Sequence, residues 1–550
     1  MPISTNAPTC RTSSKGIITP IVLAIGLLTC HAVVSAQSDL RLIEAVQQKN
    51  MVRAKELINA DVNVNNIRAD GATALLWAAH WNDLETVDLL LANGASVNVA
   101  EDQGVTPLTR ACENSSPEMV SKLLQAGANP NKNQLNGLSP VIIAAGTGNL
   151  QVIKALIEAG ADVNARIEIT GQTALMWAAS ESHHDAMEAL IAAGADINAS
   201  SNLGFTPLLF VTRNDDIKGA KILISAGADV NQVGSDGTST VALAVVSGNA
   251  EFARFLLAKG ADPNGTIHGV SALHAAAGNV DMWIRDWLRA RQISISLAAR
   301  STKGLPEYER LEMVKALLDA GANPNARADV STTTFGWVSN RLGARDVQAI
   351  GTGNLRGATP LWVAAFRANR PPRRREDLPD DADLSDGGDS ARIVRILLAA
   401  GADPTLTSRD GTTPLMVASG IGHSTFRQGM QQSPPSPSAE AVVRMLVESG
   451  ADVTVTNEAG FTALHGAAFR GLNEVIAYLV GQGADINAQD YRERTAYRIA
   501  QGTQQSFYYQ EWPGTADLLA SLGADTTIGL GGRELERNLS RRLTDDEPES

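Results

Sequence analysis

The residues best suited to chemistry are few and scattered. His183-His184-Asp185 has the composition of a metal-binding cluster, but zinc needs ligands converging from several elements. Cys112, beside Ala111, reads as a small core residue rather than a reactive thiol. Gly351-Thr352-Gly353 and the glycines from Gly529 to Gly532 lack the Lys-Ser/Thr pair that completes a phosphate-binding loop. Asn114-Ser115-Ser116, Asn264-Gly265-Thr266 and Asn538-Leu539-Ser540 match the glycosylation pattern, which matters only in a host with a glycosylating export pathway. Nowhere do a nucleophile, a base and an orienting group fall into one recognisable constellation. No catalytic residue, cofactor or metal is therefore expected.

The chain has 550 residues, 44% of them hydrophobic, and a formal net charge of -13. A single core stops growing near about 250–300 residues, so several domains or one elongated array are required. The acidic balance argues against nucleic acid, whose binders carry a basic stripe. The first 36 residues read as an export signal. Arg11 and Lys15 form a positive region, Ile17 to Leu28 is mostly apolar, and Val34-Ser35-Ala36 is a small-residue cleavage pattern before Gln37. An uncleaved anchor is the alternative, although Thr19, Pro20 and His31 spoil the run a membrane span needs. A lipoprotein modified at Cys30 would require a better match than Leu27-Leu28-Thr29. Cleavage would leave Cys112 as the sole cysteine and forbid an intrachain disulfide. The expected location is periplasmic or secreted, with membrane contact only if the segment is not cleaved.

The elements that would position any site are set by a repeat. Gly-Ala followed by Asp, Asn or Ser recurs at Gly94, Gly127, Gly160, Gly194, Gly227, Gly260, Gly321, Gly401, Gly450, Gly483 and Gly523. The first five intervals are 33, 33, 34, 33 and 33 residues. About 21 residues before it in the regular repeats stands Thr-Pro-Leu-His or a relative, as in Thr73-Ala74-Leu75-Leu76, Thr106-Pro107-Leu108-Thr109 and Thr462-Ala463-Leu464-His465. In this pattern the chain resembles the ankyrin family over about residues 38–525. The resemblance implies an all-α repeat solenoid of about eleven units, each a β-turn followed by two antiparallel helices. It also puts His183 and His184 in an inter-helix turn.

The residues between 69 and 99 account for that unit independently. Asp70-Gly71 is turn chemistry. Thr73 can cap the first helix, and proline suits the next position, as at Pro107 and Pro207. Leu75, Ala78 and Ala79 follow at helical spacing. Asn82-Asp83 breaks the helix, and Glu85 sits near the positive end of a second one. Val87, Leu90 and Leu91 should form its buried stripe. Gly94 is the expected left-handed cap, and Asn98 should fix the next turn through side-chain to backbone bonds.

Residues 37–66 read as an N-terminal capping repeat, with Leu40, Ile43 and Val46 on one helix and Leu57-Ile58 on a second. Regular repeats span 67–265, repeats with long insertions 266–454, and C-terminal repeats 455–525. Residues 526–550 form a charged, disordered tail. Insertions stand at about 279–308, 327–355, 368–390, 424–438 and 502–513. Four of them fall between the helices of a repeat and should leave one edge of the array. The fifth, 327–355, lies in a turn and should face the concave side. Trp283 and Trp287 share a helix face within the first insertion, reading either as an added scaffold helix or as a docking helix. Arg370-Pro371-Pro372-Arg373-Arg374-Arg375 is neutralised at once by Glu376-Asp377 and reads as a disordered loop.

The concave face is the expected binding surface of such a solenoid. By the resemblance, its exposed positions are the pairs after each Ala-Ala, namely His80-Trp81, Glu113-Asn114, Ser180-Glu181 and Arg213-Asn214. Trp and Arg are the types that most often dominate interface energy. Phe335, Trp337 and Arg341 in the turn insertion either contact a partner or pin their own loop. Trp77 and Trp177, just before their Ala pairs, read as partly buried packing residues. The expected function is a scaffold that binds a protein partner through the concave face and inserted loops. An exported effector acting on a foreign host protein is one alternative, and an enzyme with a site built by the insertions is another.

Overall fold

The computed structural model describes residues 39–278, 280, 304–329, 356–369, 388–422, 437–505 and 508–529. The export segment, the interiors of the insertions with Trp283, Trp287, Phe335, Trp337 and Arg341, and the tail beyond 529 lie outside the described residues. Within them, 24 helices form twelve antiparallel pairs from Arg41–Gln47 to Pro513–Ser521. Two short antiparallel ladders, Thr266–Ile267 with Val270–Ser271 and Thr503–Gln505 with Tyr508–Gln510, are the strands. The expected helical solenoid is observed, with the N-terminal cap counting as a full pair.

Local chemistry sets each pair. Thr73 Oγ1 accepts the Leu76 N–H at 3.1 Å, and Thr106, Thr206, Thr359 and Thr413 do the same for their own inner helices. Each such cap contributes about 1 kcal/mol. Gly94 follows the outer helix Leu84–Ala92 at φ +80, the left-handed conformation that a side chain disfavours. Behind these ends, Leu75, Ala78, Ala79, Val87 and Leu90 are fully buried. Leu91 is only half-buried, contrary to its expected place in the stripe. The buried stripe begins instead at Thr86, whose hydroxyl donates to Asp83 and lies 2.6 Å from Met51 Sδ of the previous repeat. One apolar core runs unbroken from Leu42 to Ala524.

Asparagine after the glycine loop joins one repeat to the next. Asn98 Nδ2 donates to Gly127 O at 2.9 Å, and its Oδ1 accepts the Asn129 N–H at 2.7 Å. Asn65, Asn131, Asn164, Asn231, Asn264 and Asn325 make the same pair of bonds. The turn that Asn98 fixes is therefore in the following repeat.

Insertion boundaries move in the second half. The outer helices Glu307–Asp319, Gly388–Ala399 and Pro437–Glu448 have 13, 12 and 12 residues and absorb the ends of the expected loops. Regular outer helices have 9, as in Leu150–Glu158. The inner helix Pro414–Ala418 has only 5 residues. Its buried C-terminal carbonyls are taken up by Asn369, whose Nδ2 donates to Ala418 O and, at 3.5 Å, to Val417 O. Arg470 Nη2 reaches from the other side to Asn369 O at 3.3 Å. Side chains of the two flanking repeats thus fill the gap left by a truncated helix.

Candidate functional site

The inner helices present the residues that follow each Ala-Ala pair, because two residues past the last buried alanine the chain turns out of the core. Trp81 is 37% exposed, among the largest exposed hydrophobic side chains of the array. It does not stand alone. Its Nε1 donates to Gln47 O at 3.2 Å, and Lys49 Nζ lies 3.9 Å over its ring. His80 meets Trp81 edge-on at 4.5 Å and Trp77 at 5.5 Å. Arg68 lies 5.7 Å over Trp77 and pairs with Asp70, whose carboxyl it holds down to about 2. A packed aromatic cluster with two cations on its faces therefore stands across the first two repeats. Lys49, Arg68 and Trp77 belong to it although they do not follow an Ala-Ala pair. The signal that could find Lys49 is its place in the previous inter-helix turn, one repeat before Trp81.

Farther along, the expected residues divide by what they already hold. Glu113 accepts Arg110 Nη1 at 2.8 Å and Gln134 Nε2 at 3.1 Å, while Arg110 Nη2 also reaches Glu101 at 3.3 Å. Asn114 Nδ2 donates to Ala79 O at 2.9 Å and His80 O at 3.0 Å, so it caps the preceding inner helix. Asn214 Nδ2 does the same to Ser180 O at 2.6 Å. Glu181 is exposed and Ser180 half-buried. Arg213 stacks 5.4 Å over Phe210. Burial lowers the pKa of its guanidinium, and Glu181 opposes that shift. Trp177 is half-buried over Gly146, where an added Cβ would stand 3.0 Å from the indole ring. Trp77 and Trp177 are the packing residues their position suggests.

The histidine run opens in two directions. His183 Nε2 lies 3.1 Å from Gly146 O of the preceding repeat, and His184 Nε2 lies 2.8 Å from Asp216 Oδ1 of the next. Each ring thus joins its own repeat to a neighbouring one. The sequon residue Asn264 is likewise engaged, holding Gly321 O at 3.3 Å. Cys112 is fully buried, and burial pushes its thiol far above the ordinary range. Among the described residues no group of three His, Cys, Asp or Glu side chains could hold a metal ion, and no helix is long and apolar enough to cross a membrane.

A family model described as ankyrin repeats matches residues 42–134, 118–201, 141–234, 208–298 and 384–490, together more than half of the chain. Among solved structures, the chain is similar to the ankyrin repeat domain of human ASB11. The identity is 26%, over 36% of this chain and 89% of that one, with a TM-score of 0.34. No curated protein matches the chain.

Proposed function

The chain belongs to the ankyrin-repeat family, a fold that generally serves as a protein–protein interaction scaffold, and we propose that it holds a protein partner along the N-terminal half of its concave face. The observation that carries this reading is the Trp77–His80–Trp81 cluster with Lys49 and Arg68, continued by the exposed Glu181 and the Arg213–Phe210 stack. Tryptophan and arginine side chains held in place by neighbours lose little conformational entropy on binding, the condition for an energetic hot spot. Phe335, Trp337 and Arg341 extend the contact from the turn insertion. The partner is reached outside the cytoplasm, in the periplasm or after secretion. That location is supported by the Arg11, Lys15 and Val34-Ser35-Ala36 pattern.

Affinity capture from cell-envelope extract tests it, with the chain from Gln37 as bait beside a Trp81→Ala/Arg213→Glu variant and a deletion of 327–355. One protein held by the parent and lost with the concave variant is the expected result. Equal capture by the parent and both variants would move the site off the concave face and refute the proposal.

A further inference from the structure

Asparagine followed by glycine occurs three times in the chain, at Asn93-Gly94, Asn136-Gly137 and Asn264-Gly265. The pair has a chemistry of its own. The main-chain nitrogen of the glycine can attack the side-chain amide carbon of the asparagine, and a glycine leaves that approach unhindered. In a folded chain the reaction waits on local opening, so it is governed by how firmly the two residues are held.

The fold clamps two of the pairs and leaves the third loosely held. Asn264 is fixed at both ends of its amide, Nδ2 donating to Gly321 O at 3.3 Å and Oδ1 accepting the Asn323 N–H at 2.7 Å. Asn93 ends the outer helix Leu84–Ala92. Its Nδ2 donates to Leu89 O at 2.8 Å, Gly94 N donates to Leu91 O at 3.0 Å, and Asn65 Nδ2 of the preceding repeat holds Gly94 O at 2.9 Å. Asn136 is exposed, on the turn before the inner helix Pro140–Thr147. Among the described residues its side chain makes one hydrogen bond, inside the turn, Oδ1 accepting the Leu138 N–H at 3.0 Å.

The turn also lacks a brace that its predecessors have. In the two preceding turns the equivalent carbonyl accepts from the next turn, Asp70 O from the Asp102 N–H and Gln103 O from the Leu135 N–H, both at 2.9 Å. Asn136 O accepts no backbone N–H among the described residues. The sequence spacing shows why. The interval from Gly160 to Gly194 is 34 residues rather than 33, and the extra residue lies in the following turn. There Gly171 N bonds Ile167 O, four residues back, whereas Gly137 N bonds Gln134 O, three back. The two turns no longer match.

We propose that Asn136 is a site of spontaneous covalent modification, its side-chain amide converted to acid through a cyclic imide. Local opening frees Gly137 N from Gln134 O. That nitrogen forms a bond to Cγ of Asn136, the Cγ–Nδ2 bond breaks, and the Gly137 N–H proton leaves with Nδ2 as ammonia. Water then opens the imide. Breaking the new bond from Gly137 N to Cγ gives aspartate. Breaking the original bond from Gly137 N to the Asn136 carbonyl carbon gives isoaspartate, with the main chain running through Cγ. Water is the only co-reactant, and nothing is oxidised or reduced. The fold admits the first product: Asp70, Asp236 and Asp410 precede glycine at the same position, and their Oδ1 atoms accept the N–H two residues on at 3.1, 3.1 and 3.2 Å. The second product adds a carbon to the main chain and breaks the turn that leads into Pro140–Thr147. That helix carries Gly146, on which Trp177 packs and whose carbonyl faces His183.

The test incubates the full chain in mildly alkaline buffer, native and in denaturant, and follows its tryptic peptides by mass spectrometry, with fragmentation and chromatography to place the change and separate the isomers. In the native chain acid should accumulate at Asn136 about tenfold faster than at Asn93 or Asn264, since each of those must give up at least one further hydrogen bond. In denaturant the three rates should converge. Asn136→Asp should melt with the parent, and an earlier melt would overturn the place given to the aspartyl product. The inference fails if Asn136 keeps its amide in the native chain or converts no faster than the other two. It fails also if the native order persists in denaturant, because neighbouring sequence and not the fold would then set it.

Discussion

Acidification should loosen the array first around His274. The buried ring has Nε2 at 2.9 Å from Ala358 O and Nδ1 at 2.7 Å from Ser271 Oγ. A carbonyl only accepts, so Nε2 carries the proton and Nδ1 receives the serine hydroxyl. Protonating Nδ1 would place a charge in a site closed to water and set a second donor against the Ser271 N–H, which points at Nδ1 from 3.4 Å. Burial pulls the imidazole from 6.5 down to about 4, with the bond to Ala358 opposing it. The unfolded chain therefore takes up a proton below about pH 6.5, while the folded one resists until about pH 4. Stability from this group is full above the upper value and is lost as pH falls through the window. Between pH 7 and pH 5 the loss is about 2 kcal/mol, or roughly a thirtyfold rise in opening. Repeat arrays open locally, so native-state hydrogen exchange of the amides in 272–277 and 360–368 is the readout. His274→Gln should abolish the pH-dependent part. His465, buried and shifted the same way by the same cause, is present in both proteins and cancels. Equal responses in parent and variant, or an imidazole that titrates near its unfolded value by NMR, would refute the reasoning.

Other consequences are simpler to read. Asn131→Ala removes the bonds to Gly160 O at 3.0 Å and from Asp162 N at 2.7 Å, and should cost about 1–2 kcal/mol in denaturant unfolding. Thr454→Asn should instead add about 0.5–1 kcal/mol by supplying the missing clamp; no shift in either midpoint would show that the clamps are idle. Cys112 should stay unmodified by a thiol reagent in the native state and react on unfolding, and native labelling would contradict its burial.

The repeat unit is legible in the sequence because its punctuation is chemical: Thr73 to start a helix, Ala78-Ala79 to admit a neighbour, Gly94 to end the pair. Leu91 is misplaced by periodicity because the buried stripe of the outer helix runs through Thr86, Val87 and Leu90, one turn earlier, as it does through Met119, Val120 and Leu123 in the next repeat. The surface is half legible. His80-Trp81 stands out by residue type, but Lys49 and Arg68 join it through the stacking of one repeat on another. Asn114 and Asn214 occupy expected surface positions, yet their amides are turned back to cap the preceding inner helix, which no pattern within one repeat discloses. Asn369 and Arg470 lie 101 residues apart, and only the short helix between them makes them neighbours.

Where the array is stitched bears on where it can bind without reordering. Every described junction from Asn65 to Asn325 carries an asparagine that bonds the next loop. At the next two junctions threonine takes that position. Thr405 Oγ1 and Thr454 Oγ1 turn to Asp403 and Asp452, at 2.6 and 2.7 Å, within their own loops. The same stretch holds the truncated helix Pro414–Ala418 and its borrowed partners. The asparagine clamps are thus interrupted where the period is most broken, and other groups bridge the repeats there, Trp362 Nε1 donating to Thr412 O at 3.2 Å and Asn457 Nδ2 to Thr412 Oγ1 at 3.1 Å. The aromatic cluster at Trp81 and the Arg213 stack lie on the clamped side, between Lys49 and Arg213. There each side chain is held at a spacing set by the repeat, so a partner that matches the spacing meets a surface already in its bound form.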